Sequence, residues 1–221
     1  MRPRPRAVLF DLDGTLIDSA PDLAGACNEM RIERGLPALP FEQLRRMVGS
    51  GARGMVGAAF GLAAGDVGYD ALRDEFLQRY EARMTRETRV FAAVVPLLAW
   101  LDDERLAWGI VTNKATRFAA PLVRHLDLAT RAATLVCGDT VAHAKPHPAP
   151  LLEAARQLGL AASDCIYVGD DRRDVDAGRA ATMTTVVAAW GYLGDGDAPA
   201  SWGADHLIER PDELIGLIDG A

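Results

Sequence analysis

Four short apolar runs in this 221-residue chain are each followed by polar side chains whose types suit phosphate chemistry. The polar residues are Asp11, Asp13, Thr112, Asn113, Lys145, Asp170 and Asp174. Clustered carboxylates repel one another and stay ionised only beside a counter-charge, which Mg²⁺, a hard cation that prefers oxygen ligands, can supply. An ammonium group and a hydroxyl are suited to bind phosphoryl oxygens. The set therefore predicts Mg²⁺-assisted chemistry on a phosphate group.

The spacing of Asp11 and Asp13 predicts two different roles for these carboxylates. Side chains two residues apart in an extended segment share a face, so both can address one phosphorus atom. One carboxylate can attack as a nucleophile while the other protonates the leaving oxygen.

The apolar runs predict the strands that position these residues, at 7–10, 108–111, 134–137, 165–168 and 185–188. Helical stretches lie between them at 94–101, 116–126 and 148–158, with Gly159 placed to cap the last. Pro121 is expected to shorten or kink the helix that contains it. This alternation predicts an α/β fold, a doubly wound parallel sheet of Rossmann-like type, in which ligands bind beyond the carboxyl ends of the strands.

The interval between the first two strands predicts a second domain that is entirely helical. Apolar residues recur there at helical spacing, as in Leu72, Phe76, Tyr80 and Met84, and glycines separate the helical patterns. We therefore predict an all-helical insertion domain at residues 19–82, carried on an α/β core domain formed by residues 1–18 and 83–221.

Composition restricts the class of partner. Thirty-one acidic residues against 24 basic ones give a formal net charge of −7, which speaks against nucleic-acid binding. No apolar run approaches the roughly 18 residues of a membrane span, and the apolar stretch near the N-terminus is too short for a signal peptide. The scattered Cys27, Cys137 and Cys165 are expected to be buried thiols in a reducing compartment. A small-molecule ligand and a cytoplasmic location are expected, and the oligomeric state is left open.

The chain resembles the haloacid dehalogenase superfamily in the order and spacing of four motifs, which are Asp11-Leu12-Asp13-Gly14-Thr15, Thr112, Lys145 and Gly169-Asp170-x-x-x-Asp174. The helical insertion resembles the type-1 cap of the phosphoglycolate phosphatase-like branch, and the likeness covers the whole chain. Within that branch, three stretches look closest to the bacterial N-acetylmuramic acid 6-phosphate phosphatases, a group often labelled phosphoglycolate phosphatase: residues 51–55, residues 108–114 with 117–118, and residues 202–205.

The resemblance implies a phosphomonoesterase that works through an aspartyl-phosphate. It implies that Asp11 is the nucleophile and Asp13 the general acid/base. It implies that Asp11, Asp170 and the backbone carbonyl of Asp13 hold Mg²⁺. Asp174 would act through water or orient Lys145, which neutralises the charge on the nucleophile and the phosphate.

The resemblance also implies how the substrate is bound. Thr112 and the Asn113 amide, together with Lys145, would hold the phosphoryl oxygens, and Gly51 and Arg53 of the cap would contact the substrate. The ester is expected to be small and anionic, either 2-phosphoglycolate or N-acetylmuramic acid 6-phosphate. Roles stay open for five further residues, which are Arg45, Arg46, Asp171, Trp190 and Tyr192.

Two other functions are compatible with part of the pattern. A phosphomutase of the β-phosphoglucomutase type would use the same motifs and return the phosphate to a sugar. A receiver-like signalling module also has an acidic cluster with Thr and Lys, but its Lys follows all its acids, whereas Lys145 precedes Asp170. The chain departs from the superfamily pattern at Phe91–Val94, which replaces a Pro-Gly turn, and at Thr182, where glycine is usual.

Overall fold

The computed structural model describes residues 4–194 and 196–220. Its strands are β1 (Ala7–Phe10), β2 (Ile17–Asp18), β3 (Arg89–Val90), β4 (Ala107–Val111), β5 (Leu135–Val136), β6 (Cys165–Gly169), β7 (Thr184–Ala188) and β8 (His206–Ile208). Its α-helices are α1 (Ala20–Glu33), α2 (Phe41–Arg45), α3 (Gly51–Phe60), α4 (Tyr69–Arg83), α5 (Val94–Asp103), α6 (Thr116–His125), α7 (Ala149–Leu158), α8 (Arg172–Ala180) and α9 (Glu213–Asp219).

Six strands form one parallel sheet in the order β5-β4-β1-β6-β7-β8. The chain builds outward from β1 to β5 on one side and then from β6 to β8 on the other, so the strand order reverses beside β1. All four residues of β1 and all five of β6 are buried, as expected for strands covered on both faces. The predicted doubly wound parallel sheet is confirmed, and all five predicted strands are present.

Two helices show how local sequence determines the ends of elements. Gly159 has a φ of +67° and donates to the carbonyls of Ala155 and Arg156, which confirms the predicted cap of α7. Of the two effects expected of Pro121, shortening is wrong, because α6 continues through the proline to His125, and a kink stays a prediction. The proline removes one ladder hydrogen bond, and the buried Phe118 and Leu122 on the same helix keep it packed.

Thr182 occupies the backbone conformation for which glycine is usually selected, with a φ of +61°. Its N–H donates to the carbonyl of Arg179, and the next N–H, of Met183, donates to Gly178. These bonds end α8 with the left-handed residue in place. Thr182 thus replaces the glycine that is usual in the superfamily, but the backbone keeps the left-handed turn that glycine would form.

The described chain divides into two compact units. The α/β unit contains the described residues up to Ile17, Val90–Leu193 and those from Asp197 onward. The helical unit contains Asp18–Arg89 with α1 to α4, and Gly194 and Gly196 are grouped with it. Both unit boundaries fall inside the paired strands β2 and β3.

The helical unit extends further along the chain than the predicted 19–82. Its last helix runs to Arg83, and the segment after it is tied back to the buried Asp22 of α1. The Asp22 carboxylate accepts hydrogen bonds from the backbone N–H groups of Glu87 and Thr88, at 3.0 and 2.9 Å. These hydrogen bonds hold the segment after α4 against α1, and the helical unit accordingly ends at Arg89 instead of the predicted residue 82.

The three cysteines are buried free thiols, as predicted. Among the described residues, no helix combines the length and the apolar character that a membrane span requires.

Candidate active site

Polar residues gather at the carboxyl edge of the parallel sheet. Asp11 follows β1, Thr112 follows β4, and Asp170 follows β6, so the sheet brings side chains from distant parts of the sequence together. Because ligands of open α/β sheets bind at this edge beside the point where strand order reverses, the location itself indicates a binding site.

Lys145 is at the centre of the site. Its side chain is 2% exposed, and its Nζ lies 2.8 Å from Asp11 Oδ1 and 2.7 Å from Asp174 Oδ1. The same ammonium donates to the carbonyl of Val111 at 3.0 Å and to the Tyr167 hydroxyl at 2.8 Å. A buried ammonium surrounded by four oxygens is fixed in position and charge.

The Asp170 carboxylate is held between two glycines. Thr15 Oγ1 donates to its Oδ1 at 2.9 Å, and the N–H of Tyr192 donates to its Oδ2 at 2.7 Å. A Cβ added at Gly14 would lie 2.1 Å from Asp170 Oδ2, and one added at Gly191 would lie 2.2 Å from Asp170 Cβ. Glycine is required at both positions because any side chain would displace this carboxylate.

Three carboxylates face one another here and lack sufficient compensating charge. Oxygens of Asp11, Asp170 and Asp174 all lie within 4.8 Å of one another. Burial raises the pKa of Asp11 to about 6, with Lys145 opposing the shift and Asp174 adding to it. Burial and the charges of Asp11 and Asp174 likewise raise the pKa of Asp170 well above its ordinary value. Burial opposes the charged form of Lys145, but Asp11 and Asp174 outweigh this effect and raise its pKa.

This donor set fits Mg²⁺. The ion prefers carboxylate oxygens and removes the repulsion that raises the carboxyl pKa values. Asp174 accepts hydrogen bonds from Lys145, Tyr167 and the N–H of Asp171, which use both of its oxygens, whereas Lys145 contacts Asp11 through Oδ1. Asp11 and Asp170 are therefore the carboxylates better placed to hold an ion.

The predicted general acid/base, Asp13, pairs with a lysine that the sequence analysis did not select. Lys114 Nζ lies 2.9 Å from both Asp13 Oδ1 and Asp13 Oδ2, and its side chain is 9% exposed.

Thr112 and Asn113 shape the loop after β4. The hydroxyl of the buried Thr112 accepts a hydrogen bond from the N–H of Lys114 at 3.1 Å. The Asn113 side chain makes a reciprocal pair with the backbone of Lys145, donating to its carbonyl and accepting from its N–H, both at 2.9 Å. The Asn113 side-chain amide therefore holds the Lys145 loop. Phosphoryl binding by Thr112 and the Asn113 amide stays a prediction.

Three residues of the α/β unit had no predicted role, Asp171, Trp190 and Tyr192, and the structure shows their contacts. Asp171 caps the N-terminus of α8 and pairs with Arg173 Nε at 2.7 Å. Trp190 Nε1 donates to the carbonyl of Thr15 at 3.0 Å. Tyr192 contributes its backbone N–H to the Asp170 cradle, and its side chain is buried.

The predicted cap residues lie in the helical unit. Gly51 begins α3 with a φ of +60° and has nothing within 4 Å of an added Cβ. Arg53 is exposed on the same helix. Arg45 ends α2, with Arg46 directly after it. Substrate contacts by Gly51 and Arg53 stay predictions.

Tyr167 is another residue of the site that the sequence did not predict. Its buried hydroxyl lies 2.9 Å from the Val111 carbonyl and 3.1 Å from Asp174 Oδ1, besides accepting from Lys145. A tyrosine in an apolar strand is usually a core residue. That its hydroxyl helps to hold the Lys145 ammonium, 22 residues away in the chain, is evident only from the structure.

Comparison with known proteins places the chain in a family. Residues 8–188 match the family model described as haloacid dehalogenase-like hydrolase. An N-acetylmuramic acid 6-phosphate phosphatase of Pseudomonas putida is 44% identical over 218 residues, which cover 99% of this chain and 98% of that protein. A phosphoglycolate phosphatase of Xanthomonas campestris pv. campestris is 50% identical over 211 residues, 95% of each chain.

The solved structures show the same fold. A crystal structure of a predicted phosphoglycolate phosphatase from Haemophilus somnus 129pt superposes with a TM-score of 0.85, covering 98% of this chain and 99% of that one, at 23% identity.

Proposed function

Because this chain belongs to the family of haloacid dehalogenase-like hydrolases and its relatives are named phosphatases, we propose that it is a Mg²⁺-dependent phosphomonoesterase that forms an aspartyl-phosphate on Asp11. The observation that carries the proposal is the Lys145 ammonium, buried between Asp11 and Asp174 at 2.8 and 2.7 Å. It fixes one oxygen of Asp11, and the carboxylate can attack phosphorus with the other.

The reaction has two steps. Asp11 attacks phosphorus, the bond to the ester oxygen breaks, and Asp13 protonates that leaving oxygen. Asp13 then takes a proton from water as the water attacks the phosphorus of the aspartyl-phosphate, which releases inorganic phosphate and regenerates Asp11. When bound, Mg²⁺ neutralises negative charge on the transferring phosphoryl group.

The protein's own groups stabilise the phosphoryl group during both steps. Lys145 supplies a fixed positive charge, and Thr112 and the backbone N–H of Asn113 supply donors at the same sheet edge. Asp170 and Asp11, with the backbone carbonyl of Asp13, are the groups that would hold Mg²⁺. Asp174 acts through Lys145, which it holds at 2.7 Å.

We propose a substrate that carries a carboxylate besides its phosphate. The names of the relatives give two esters of this class, 2-phosphoglycolate and N-acetylmuramic acid 6-phosphate, and each bears one carboxylate. Gly51 and Arg53 of the helical unit are the residues proposed to contact the part of the substrate beyond the phosphate.

A phosphate-release assay with Mg²⁺ tests the proposal, comparing kcat/KM for these two esters with Asp11→Asn as the matched control. Turnover of either ester that requires Mg²⁺ and is lost in Asp11→Asn supports the activity. A preference of tenfold, about 1.4 kcal/mol of differential transition-state binding, identifies the substrate. An isomerised sugar phosphate in place of free phosphate indicates a mutase and overturns the proposal, as does unchanged activity in Asp11→Asn.

A further inference from the structure

Lys114 makes a symmetric contact with the carboxylate of Asp13. Its Nζ is 2.9 Å from each of the two oxygens, and both side chains are mostly buried, at 9% and 18% exposed. A charge-assisted contact to both oxygens fixes the plane of a carboxylate as well as its position.

The backbone of Lys114 is held on both sides. Its N–H donates to Thr112 Oγ1 at 3.1 Å, and its carbonyl accepts from the N–H of Gly138 at 3.0 Å. A Cβ added at Gly138 would lie 2.3 Å from the Asn113 carbonyl, so the two loops approach each other closely. The ammonium is thus directed at Asp13 from a fixed loop.

The two buried lysines of the site have separate partners. Lys145 contacts Asp11 and Asp174, whereas Lys114 contacts Asp13. The nucleophile and the general acid/base are therefore each oriented by their own ammonium group.

We propose that Lys114 is a positioning residue for Asp13 in the hydrolysis of the aspartyl-phosphate, an inference that rests on the proposed function. A carboxylate has about four lone-pair sites, and the contact with Lys114 uses one on each oxygen. A remaining lone pair accepts the proton of the attacking water. The water oxygen bonds to phosphorus, the bond between phosphorus and the Asp11 oxygen breaks, and the proton moves to Asp13.

This role predicts which step slows when Lys114 is changed. With p-nitrophenyl phosphate the leaving group needs little protonation, so transfer to Asp11 depends only weakly on Asp13. Hydrolysis of the aspartyl-phosphate still needs an oriented base. When only the second step slows, kcat and KM fall together and kcat/KM is conserved.

The test is rapid-mixing kinetics of the full-length protein with Mg²⁺ and p-nitrophenyl phosphate, comparing Lys114→Met, Lys114→Arg and Arg117→Met. Lys114→Met should lower kcat about tenfold or more, part of the contribution expected of a general base, and show a burst near one p-nitrophenol per enzyme. Lys114→Arg should restore most of the rate. Arg117→Met removes a nearby exposed charge and should behave as wild type.

A coupling measurement separates orientation of Asp13 from a general structural effect. In an Asp13→Asn background the carboxylate is absent, so adding Lys114→Met should leave the rate of aspartyl-phosphate breakdown unchanged. The inference is overturned if Lys114→Met matches wild type, or if it lowers kcat/KM without a burst, which would indicate substrate binding. If wild type itself releases no p-nitrophenol or phosphate from any ester with Mg²⁺, the proposed function fails first.

Discussion

Gly14→Ala should disable the site without unfolding the protein. The new Cβ would lie 2.1 Å from Asp170 Oδ2, where ordinary contact begins at 3.4 Å, so the carboxylate must move by about 1 Å. A 1 Å misplacement of a catalytic group costs about 100-fold in rate, or about 2.7 kcal/mol of transition-state stabilisation. We therefore expect kcat/KM for Mg²⁺-dependent phosphate release to fall by about two orders of magnitude.

Gly35→Ala is the matched control. Gly14 has a φ of +83° and Gly35 a φ of +71°, but nothing lies within 4 Å of a Cβ at Gly35. Both variants pay about 1–2 kcal/mol for placing alanine in the left-handed region, which thermal denaturation measures. Only Gly14→Ala should lose activity. Activity of Gly14→Ala within threefold of wild type, or an equal loss in Gly35→Ala, would refute the steric argument.

Three further predictions concern charge and hydrogen bonding. Burial raises the pKa of Asp11 from 3.8 to about 6, so the folded protein holds a proton on Asp11 that the unfolded chain has already lost. Without Mg²⁺ this proton adds up to about 3 kcal/mol to the free energy of unfolding below pH 4, and the contribution is lost as pH rises through 6. Thermal melts in EDTA should show a smaller loss in Asp11→Asn than in wild type, because the raised pKa of Asp170 still contributes in the variant, and Mg²⁺ should restore stability of the wild type at pH 7. Tyr167→Phe removes one acceptor of Lys145 and should cost about 1–3 kcal/mol of unfolding free energy by urea denaturation, with kcat reduced more than KM; an unchanged midpoint contradicts the network. Asp22→Ala removes the acceptor of the buried Thr88 N–H and hydroxyl, while Arg83 keeps Glu29 and Glu87 as partners, and should destabilise by about 1–3 kcal/mol. An unchanged unfolding midpoint would show that Asp22 does not hold the segment after α4.

The strands and the main site residues could be predicted because their signals are local. The run Ala7–Phe10 is uninterrupted and wholly buried, and Asp11 follows it directly. β8 was missed because His206 and Leu207 are exposed, which leaves Ile208 as its one buried residue. Helix α2 was missed for the same reason, since Leu44 alone among its five residues is buried.

The contacts of Lys114 and Tyr167 could not be predicted because they depend on the tertiary fold. A charged residue just before a helix usually faces solvent, and its pairing with Asp13, 101 residues earlier, follows only from the adjacency of β1 and β4. The sequence pattern predicts only that Tyr167 lies in a strand, and the hydrogen bond from its hydroxyl to the Val111 carbonyl depends on how the strands are arranged in the sheet. The sequence pattern thus identifies reactive groups more readily than the residues that orient them.

The most direct test of the mechanism is detection of the phosphorylated enzyme. The protein is mixed with Mg²⁺ and a substrate ester, quenched with acid within milliseconds, digested, and analysed by mass spectrometry. The account predicts a phosphoryl group on the peptide that contains Asp11, which forms before phosphate is released and is absent in Asp11→Asn. Phosphate release at the full rate with no phosphorylated peptide, or with the label on another residue, would contradict it.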